Sequence, residues 1–564
     1  MALVSACLAI ACAARLPSRQ AEGAAAKAAR PGLAATENPE AAGASVSEAL
    51  RGAAESARRG KDGAPAEQGP GDALSGLYER AGWRPLWIEG GRATPQASAV
   101  LAQLANAHDI GLRPADYDAS GLAARFGAVS ARTPQADLAR LDVALSLGLL
   151  RNLADRHIGR ANPERARFSA GAGQDALVAL AFEIASAADV PALMASAEPR
   201  YTGYTDLRRS LARYRALASA PGLAPPPDLT GLRPGARSPF VPALRRWLEA
   251  LGDAPASGAV AGRSEVYDAG LAAAVKRFQE RHGLAADGAI GKGTAQALRV
   301  PLAERVRAIE RTLERWRWLP EPGPQPPIVV NVPEFRLFVA KSVRGADAGA
   351  PDMKVITGKA GETETPELSG EMEYLVFRPA WGVPYSIVVK EMLAKIRKDP
   401  KYLAKERLEI VGAGGAAQPL SKATLAGLAS GALGLRQRPG SENSLGLVKF
   451  VFPNDEDIYL HATPAKSLFA RARRDFSHGC IRVEDPVALA QYALRGDPAW
   501  TRERIRAAME SGGTSQVDLP SPIPVHVVYW TARAGPGGEV RFFDDLYRRD
   551  EALESLLAGG SGQP

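Results

Sequence analysis

The hydrophobic pattern changes its period once along the chain, near residue 326, and this change constrains the fold most strongly. Before it, apolar residues recur every three or four positions, as at Leu74, Leu77 and Tyr78, which is the spacing of one helix face. After it, segments such as "PIVVNVPEFRLFVA" and "GLVKFVFPNDEDIYLHATP" alternate with a period of two and are rich in β-branched and aromatic residues. The pattern predicts a multi-domain α+β protein in which helical domains precede a mainly β domain.

The 564 residues suggest three or four domains, at a typical ~150 residues each. Proline- and glycine-rich stretches and the aromatic-free, Ala- and Gly-rich region near the start mark the boundaries. The predicted segments are a signal or lipoprotein segment at 1–15, a disordered linker at 16–72, a helical scaffold domain at 73–220, a compact three-helix bundle at 236–300, a mainly β domain at 326–508 and a C-terminal strand and tail at 509–564. A helical and glycine-rich insertion at about 386–445 is long enough to fold over a site as a lid.

The N-terminal apolar run "MALVSACLAIACAARL" has the length of an export signal and is shorter than the ~20 residues of a membrane-spanning helix. Small residues precede Cys7 and Cys12, which resembles a lipoprotein cleavage box, although no Lys or Arg comes before the run. The sequence predicts export and leaves a lipid anchor at either cysteine open. Once this segment is removed, Cys480 has no partner for an internal disulfide.

The chain is basic, with a formal net charge of +8, but its charges are interspersed. No nucleic-acid recognition motif accompanies them, so no nucleic-acid partner is expected. A polyanionic neighbourhood such as a cell wall or membrane surface suits this charge.

The chemistry-bearing residues lie in the stretch "LHATPAKSLFARARRDFSHGCIRVEDP", residues 460–486. In extended chain, residues two apart share a face, so His478 and Cys480 are expected to project together, and a paired strand could bring His461 to Cys480. A thiol with a pKa of ~8.5 needs a neighbouring base to form its thiolate at neutral pH. Ser477 and Gly479 flank the pair, and glycine permits close approach of a carbonyl substrate to backbone N–H groups.

Local residues alone leave three interpretations open. Cys480 could be a buried small hydrophobe, with the two histidines as polar strand ends. His461, His478 and Cys480 could bind zinc, although a second cysteine is lacking. Cys480 could instead be a nucleophile with a histidine base.

A first resemblance concerns the three-helix bundle. The segment "AVKRFQERHGLAADGAIGKGTAQAL", residues 274–298, resembles the peptidoglycan-binding domain type 1 at each position of its repeat pattern. The resemblance implies affinity for the bacterial cell-wall polymer.

A second resemblance concerns the mainly β domain. The spacing from His461 to "SHGCIR", with "VNVPEFRLFV" and "RPAWGVPYSI", resembles the large, multi-domain subgroup of L,D-transpeptidases. The resemblance implies that Cys480 is the nucleophile and His461 the general base. The further site residues that it implies are pocket-shaping Ser477, His478 and Gly479, the backbone carbonyl of Ala462 as partner of the base, pocket walls at Trp381 and Tyr385, and a substrate contact at Arg482, where many members have Asn.

The resemblance also implies a function. The expected reaction cuts a peptidoglycan stem tetrapeptide before its terminal D-alanine through a cysteine thioester and forms a 3-3 cross-link, without metal or cofactor. Expected partners are stem peptides and glycan, the expected state is a monomer in the periplasm or cell envelope, and carbapenem sensitivity follows from the thioester chemistry. Alternatives are an L,D-carboxypeptidase, an enzyme that anchors lipoproteins to peptidoglycan, and an inactive wall-binding scaffold, which would be expected to lose Cys480 or His461.

Overall fold

A computed structural model describes residues 39–58, 70–163, 172–255, 264–340, 350–535 and 537–559. Residues 46–564 form one compact unit, and residues 1–45 form another, of which only the start of helix α1 is described. The proposed signal segment 1–15, with Cys7 and Cys12, lies outside the described residues.

The first region of the compact unit is helical. Its helices are α1 (Pro39–Arg58), α2 (Pro70–Arg80), α3 (Pro95–Ala105), α4 (Ala119–Gly127), α5 (Gln135–His157), α6 (Ala172–Ile184), α7 (Val190–Ala195) and α8 (Thr202–Ala218), with a short hairpin of β1 (Ile88–Glu89) and β2 (Arg92–Ala93). Buried Asp142 in α5 accepts hydrogen bonds from the Tyr78 hydroxyl at 2.6 Å and from the backbone N–H of Trp87 at 2.8 Å. This carboxylate therefore ties α2 and the chain before β1 to the central helix.

Helix α1 departs from the expected disordered linker at 16–72. Residues 39–58 are helical, and Leu50 and Ala54 are buried in the core of the helical region. The alanine-rich composition that suggested disorder is also that of a good helix former, and burial of one face stabilises the helix. Residues 16–38 and 59–69 of the expected linker lie outside the described residues.

The compact helical unit consists of α9 (Val241–Leu251), α10 (Ala269–Arg281) and α11 (Lys292–Leu298). Asp268 caps α10 by accepting from the N–H of Leu271 at 2.8 Å. Buried Gln279 accepts from the N–H of Gly288 at 2.8 Å and donates to the Ala289 carbonyl at 2.8 Å. Gly288 has a φ of +78°, which explains why the loop needs glycine there.

Helix α12 (Leu302–Trp316) joins the helical regions to the sheet. Trp316 stacks on Trp530 with ring centroids 3.9 Å apart. On the same helix, the guanidinium of Arg315 pairs with buried Asp550. The helical regions and the C-terminal strands thus share one apolar core through α12.

The sheet region carries most of the strands. These are β3 (Ile328–Asn331), β4 (Arg336–Val339), β5 (Asp352–Gly358), β6 (Leu368–Phe377), β11 (Val448–Val451), β12 (Leu460–His461), β13 (Asp475–Ser477), β14 (Ile481–Val483) and β15 (Ser515–Val528). Among the described residues these nine strands are ordered β13-β5-β14-β12-β11-β6-β15-β3-β4, and a pairing of β4 with β5 closes the sheet on itself. Helices α17 (Pro486–Ala493) and α18 (Arg502–Glu510) supply further buried apolar residues to its core.

The insertion between β6 and β11 has a core of its own. It contains β7 (Trp381–Val383), α13 (Tyr385–Ile387), a π-helical turn (Val388–Met392), α14 (Leu393–Lys398), α15 (Tyr402–Lys405), β8 (Leu408–Val411), β9 (Ala417–Gln418), α16 (Lys422–Ser430) and β10 (Gly434–Gln437). The strands form a small antiparallel sheet in the order β7-β10-β8-β9. The insertion is therefore helical, as expected, but is built around a sheet that the sequence reading did not include.

The large sheet extends beyond residue 508, where the mainly β domain was expected to end. Strand β15 lies between β6 and β3, and its residues Val525–Val528 are all buried, as expected for a central strand. After it come the hairpin β16 (Ala532–Ala534) and β17 (Val540–Phe542) and helix α19 (Arg549–Gly559). No helix among the described residues has the length and apolarity needed to cross a membrane.

Candidate active site

Three neighbouring strands align the chemically active side chains in rows. Strand β12 pairs in parallel with β14, so that His461 lies opposite Arg482, and pairs antiparallel with β11, so that His461 also lies opposite Lys449. Because side chains alternate along a strand, Tyr459 shares the face of His461. We call the set Lys449, Tyr459, His461, Cys480 and Arg482 the catalytic face.

His461 is buried and oriented by the backbone. Its Nδ1 lies 2.6 Å from the carbonyl oxygen of Ala462, and since a carbonyl only accepts, Nδ1 carries the proton. In the neutral ring Nε2 then has a free lone pair and can accept a proton. Burial, followed by the charge of Arg482, lowers the pKa of His461 to about 3, so the ring is neutral near pH 7.

Ala462 directly follows His461, the last residue of β12. Its backbone N–H donates to the carbonyl of Val448 at 2.9 Å, which fixes the peptide that orients His461. Gly446 faces it closely, because a Cβ at Gly446 would lie 2.6 Å from the Ala462 methyl group. The absence of a side chain at 446 therefore makes room for the alanine at 462.

Cys480 is a free thiol and is partly buried. Its Sγ donates to the carbonyl of Asp457 at 3.7 Å. Burial raises the pKa of the Cys480 thiol, while hydrogen bonds from the backbone and side chain of Tyr459 and the charge of Lys449 oppose that rise. In the resting protein the thiol is thus protonated, and its neighbours favour the thiolate once a base removes the proton.

The turn before Cys480 is held by hydroxyl groups. Thr365 Oγ1 donates to the carbonyl of Gly479 at 2.7 Å, and Thr363 Oγ1 donates to the carbonyl of Ser477 at 2.8 Å. Ser477 Oγ is 3.3 Å from the N–H of Gly479 and accepts from it. Gly479 has a φ of +112°, a backbone conformation that favours glycine and that directs the chain into β14.

His478 was expected to project together with Cys480, and its side chain contacts the insertion. The positive φ of Gly479 interrupts the extended chain on which that expectation rested. Instead His478 Nε2 lies 2.5 Å from Glu391 Oε1 in the π-helical turn of the insertion, and both side chains are about two-fifths exposed. His478 therefore connects the cysteine turn to the insertion.

The two aromatic residues expected to line the pocket have different positions. Trp381 begins the insertion on β7, and its side chain hydrogen-bonds to Tyr459 of the catalytic face. Tyr385 lies on the insertion, where its hydroxyl donates to the carbonyl of Ala429 at 2.7 Å and its ring packs against Gly431. Trp381 thus adjoins the site, whereas these contacts keep Tyr385 within the insertion.

Tyr459, Lys449 and Glu391 are site residues that the sequence reading did not identify. The period-two alternation of "DIYLHATP" already puts Tyr459 on the face of His461, so that signal was available. Lys449 could be found only from the register of β11 against β12. Its Nζ lies 3.7 Å from the centre of the Tyr459 ring, a cation–π contact.

Within the described ranges, no group of three or more His, Cys, Asp or Glu side chains is arranged to hold a metal ion. The imidazole of His478, one of the ligands considered for zinc, is engaged by Glu391.

Comparisons with known proteins give a consistent assignment for three ranges of the chain. Residues 72–211 match the sequence profile of a scaffold domain, residues 237–298 that of a putative peptidoglycan binding domain, and residues 326–500 that of the L,D-transpeptidase catalytic domain. Over 227 residues the chain is 30% identical to a Haemophilus influenzae protein named putative L,D-transpeptidase. That match covers 40% of this chain and 45% of the relative, so the chain spans less than half of the relative's length. Residues 326–500, which hold the catalytic face, therefore belong to the L,D-transpeptidase catalytic domain family and follow a scaffold domain and a peptidoglycan-binding domain in the same chain.

Proposed function

We propose that this protein is a peptidoglycan L,D-transpeptidase that forms 3-3 cross-links through a thioester on Cys480. The observation that carries the proposal is the pairing of β12, which bears His461, with β14, which Cys480 directly precedes, inside the range that matches the catalytic domain. The Ala462 carbonyl holds Nδ1–H, which leaves Nε2 as the basic atom of a neutral ring.

In the first half-reaction, Cys480 Sγ attacks the carbonyl carbon of the third stem residue while His461 Nε2 takes the thiol proton. A carbon–sulfur bond forms and the carbon–nitrogen bond to the terminal D-alanine breaks. His461 returns the proton to the departing amine, so free D-alanine leaves and a thioester remains. The hydrogen bonds of Tyr459 and the charge of Lys449 stabilise the thiolate during the attack.

The negative charge that develops on the attacked oxygen needs donors near Cys480. The N–H of Gly479 already donates to Ser477 Oγ at 3.3 Å, a long hydrogen bond that can be exchanged for one to the substrate. We assign oxyanion stabilisation to the backbone N–H groups of Gly479 and Cys480, with the threonine contacts to the Ser477 and Gly479 carbonyls holding this turn in place.

In the second half-reaction, an amine of another stem peptide attacks the thioester carbon. The amine loses a proton to His461, a carbon–nitrogen bond forms, and Cys480 leaves and regains the proton as a thiol. The result is a 3-3 cross-link. The peptidoglycan-binding domain supports a role of residues 237–298 in holding the enzyme on its polymeric substrate, and this substrate sets its location in the cell envelope.

Other acceptors define the rival functions. Water in place of the amine gives an L,D-carboxypeptidase, and a lysine of a lipoprotein gives an anchoring enzyme. An inactive wall-binding scaffold has no need of the buried histidine and the thiol that this chain keeps.

Product analysis tests the proposal. The full chain is incubated with disaccharide tetrapeptide, and the products are separated by chromatography and identified by mass. We expect dimers joined between two third residues, together with one D-alanine for each bond, and none with Cys480→Ala. Tripeptide monomer alone would replace the proposal by a carboxypeptidase, and dimers formed by Cys480→Ala would overturn the nucleophile.

A further inference from the structure

Two cationic side chains flank His461 in a row across three strands. Arg482 lies opposite His461 on β14, and Lys449 lies opposite it on β11. Residues directly opposite one another in a sheet have their side chains on the same face. Both charges therefore border the ring and thiol that carry the proposed reaction.

Neither cation has a carboxylate partner among the ion pairs of the described residues, whereas Arg336, Arg473 and Arg533 of the same region do. The Nε of Arg482 is buried and has no hydrogen-bond partner among the described atoms. Lys449 Nζ lies 3.7 Å from the centre of the Tyr459 ring and interacts electrostatically with Cys480 and Asp457, but it forms no ion pair among the described residues. Burying charged donors without a carboxylate costs free energy. The Cys480 thiolate is their anion only while the thiol is ionised, so in the resting site a second anionic group can bind beside them.

We propose that Lys449 and Arg482 form a carboxylate-binding subsite that takes the terminal carboxylate of the donor peptide, one residue beyond the attacked carbonyl. The inference rests on the proposed function and adds which group of the donor the site recognises, namely its terminal carboxylate. A guanidinium can bind a carboxylate through two parallel hydrogen bonds, and the ammonium adds a point charge.

The distance along the strand favours this carboxylate over the others in a stem peptide. Cys480 and Arg482 are two residues apart, which is about 6.6 Å in extended chain. The terminal carboxylate follows the attacked carbonyl by a single residue and is therefore within reach of the guanidinium. The subsite predicts a preference for donors that end one residue after the attacked bond. Amidation would remove the charge of the terminal carboxylate, and an additional residue would place that carboxylate farther from the two cations.

Alkylation of Cys480 tests the subsite without depending on any peptide substrate. The rates of iodoacetate, which is anionic, and of iodoacetamide, which is neutral, are measured for the full chain and for Arg482→Gln and Lys449→Gln. We expect the iodoacetate-to-iodoacetamide rate ratio to fall about five-fold in each variant, the size of one partly exposed charge pair. Lys466→Gln, which removes an exposed lysine outside the catalytic face, is the matched control and should leave the ratio unchanged.

The kinetics of two donors then identify which carboxylate the subsite binds. The ratio of kcat/KM for the tetrapeptide acid to that for its C-terminal amide should be at least ten-fold in the full chain. It should approach one in Arg482→Gln, with partial recovery in Arg482→Lys. If the variants left the acid-to-amide ratio unchanged, Lys449 and Arg482 would not bind the terminal carboxylate of the donor, and the proposal would be overturned.

The outcomes separate this inference from the proposed function. Equal slowing of both alkylating reagents would mean that the two cations act only on the thiol or on His461, and the subsite would be rejected. If the full chain turned over neither donor, the proposed function would fail, while the alkylation ratio would still decide whether an anion subsite exists. Thermal unfolding checks that each variant folds. If Arg482→Gln does not fold, Lys449→Gln alone still decides whether the subsite exists.

Discussion

The large sheet carries Cys480 and His461 among strands that are buried, whereas the insertion brings Trp381 and Glu391 to the same site from a small core of its own. His461 is 4% exposed and is fixed by a backbone carbonyl. The insertion's link to the cysteine turn is the half-exposed contact between His478 and Glu391. The groups proposed to carry the chemistry are thus set on the larger, buried sheet, and the insertion meets the cysteine turn through a partly exposed contact.

This difference concerns stability as well as chemistry. The core of the sheet contains more than thirty buried apolar residues, including Phe450 and Ile481, and the core of the insertion contains nine, including Leu428 and Leu435. Small cores are stabilised by less buried area and open locally more often than the rest of a protein. The insertion also exposes Tyr385 and Val389, two large apolar side chains that adjoin the turn bearing Glu391.

The largest effect is expected from His461→Gln, which tests whether the chemistry resides on the sheet. Loss of the base should lower kcat by about 100- to 10,000-fold in the cross-linking assay. The matched control is His526→Gln, which changes another buried histidine of the sheet whose Nδ1 lies 2.8 Å from Ser369 Oγ. Equal losses of activity in the two variants, once corrected for folded protein, would argue that His461 has only a structural role.

A pair of core truncations tests whether the two regions open separately. Phe450→Ala in the sheet should lower the free energy of unfolding by about 3–5 kcal/mol, whereas Leu435→Ala in the insertion should cost about 2–5 kcal/mol of local stability. Hydrogen exchange followed by mass spectrometry should then show faster exchange confined to residues 381–437 for Leu435→Ala. Faster exchange across the whole sheet in that variant would mean that the insertion and the sheet open as one unit.

The pH dependence of thiol reactivity tests how the sheet surrounds Cys480. Burial raises the pKa of this thiol, so less thiolate is present near pH 7 than in an unfolded chain. We expect iodoacetamide to react more slowly with the folded protein at pH 7, and the rate to keep rising above pH ~8.5, where a free thiol is half ionised. The same protein unfolded in guanidinium is the control, and a faster reaction in the folded state at pH 7 would contradict the assigned environment.

The smallest effect is expected from Glu391→Gln, which weakens the link between insertion and turn. A half-exposed polar pair of this kind contributes about 0.2–1 kcal/mol, so KM for the donor should change by about two- to five-fold with kcat little altered. Glu442→Gln removes an exposed carboxylate near the end of the same insertion and serves as the control. A hundred-fold loss of kcat in Glu391→Gln, but not in Glu442→Gln, would mean that Glu391 takes part in catalysis and does not only link the insertion to the turn.

Parts of the molecule that depend on local pattern could be predicted from the sequence. The change of period near residue 326 predicts the order of helical and β regions, and alternation in "DIYLHATP" places Tyr459 and His461 on one face. The expectation that a paired strand could bring His461 to Cys480 depends on two short strands being neighbours, and β12 does pair with β14, the strand that follows Cys480.

Other parts depend on register and on contacts that are distant in sequence. Glu391 lies 87 residues before His478, on a π-helical turn, and no local pattern relates the two. Lys449 joins the catalytic face through the register of β11 against β12, which a one-residue shift would reverse. Helix α1 was missed because alanine-rich sequence suits both a solvated linker and a helix, and burial of Leu50 decides between them.

The central claim is that Cys480 becomes acylated as D-alanine leaves, and the mass of the intact protein tests it directly. The full chain is mixed with tetrapeptide donor, quenched in acid within the first turnovers and measured by mass spectrometry, with Cys480→Ala treated in the same way. The account predicts an added mass equal to the donor minus D-alanine, on the peptide that contains Cys480, and no such addition in the variant. Release of D-alanine by a protein that never carries this mass, or the same addition in Cys480→Ala, would contradict it.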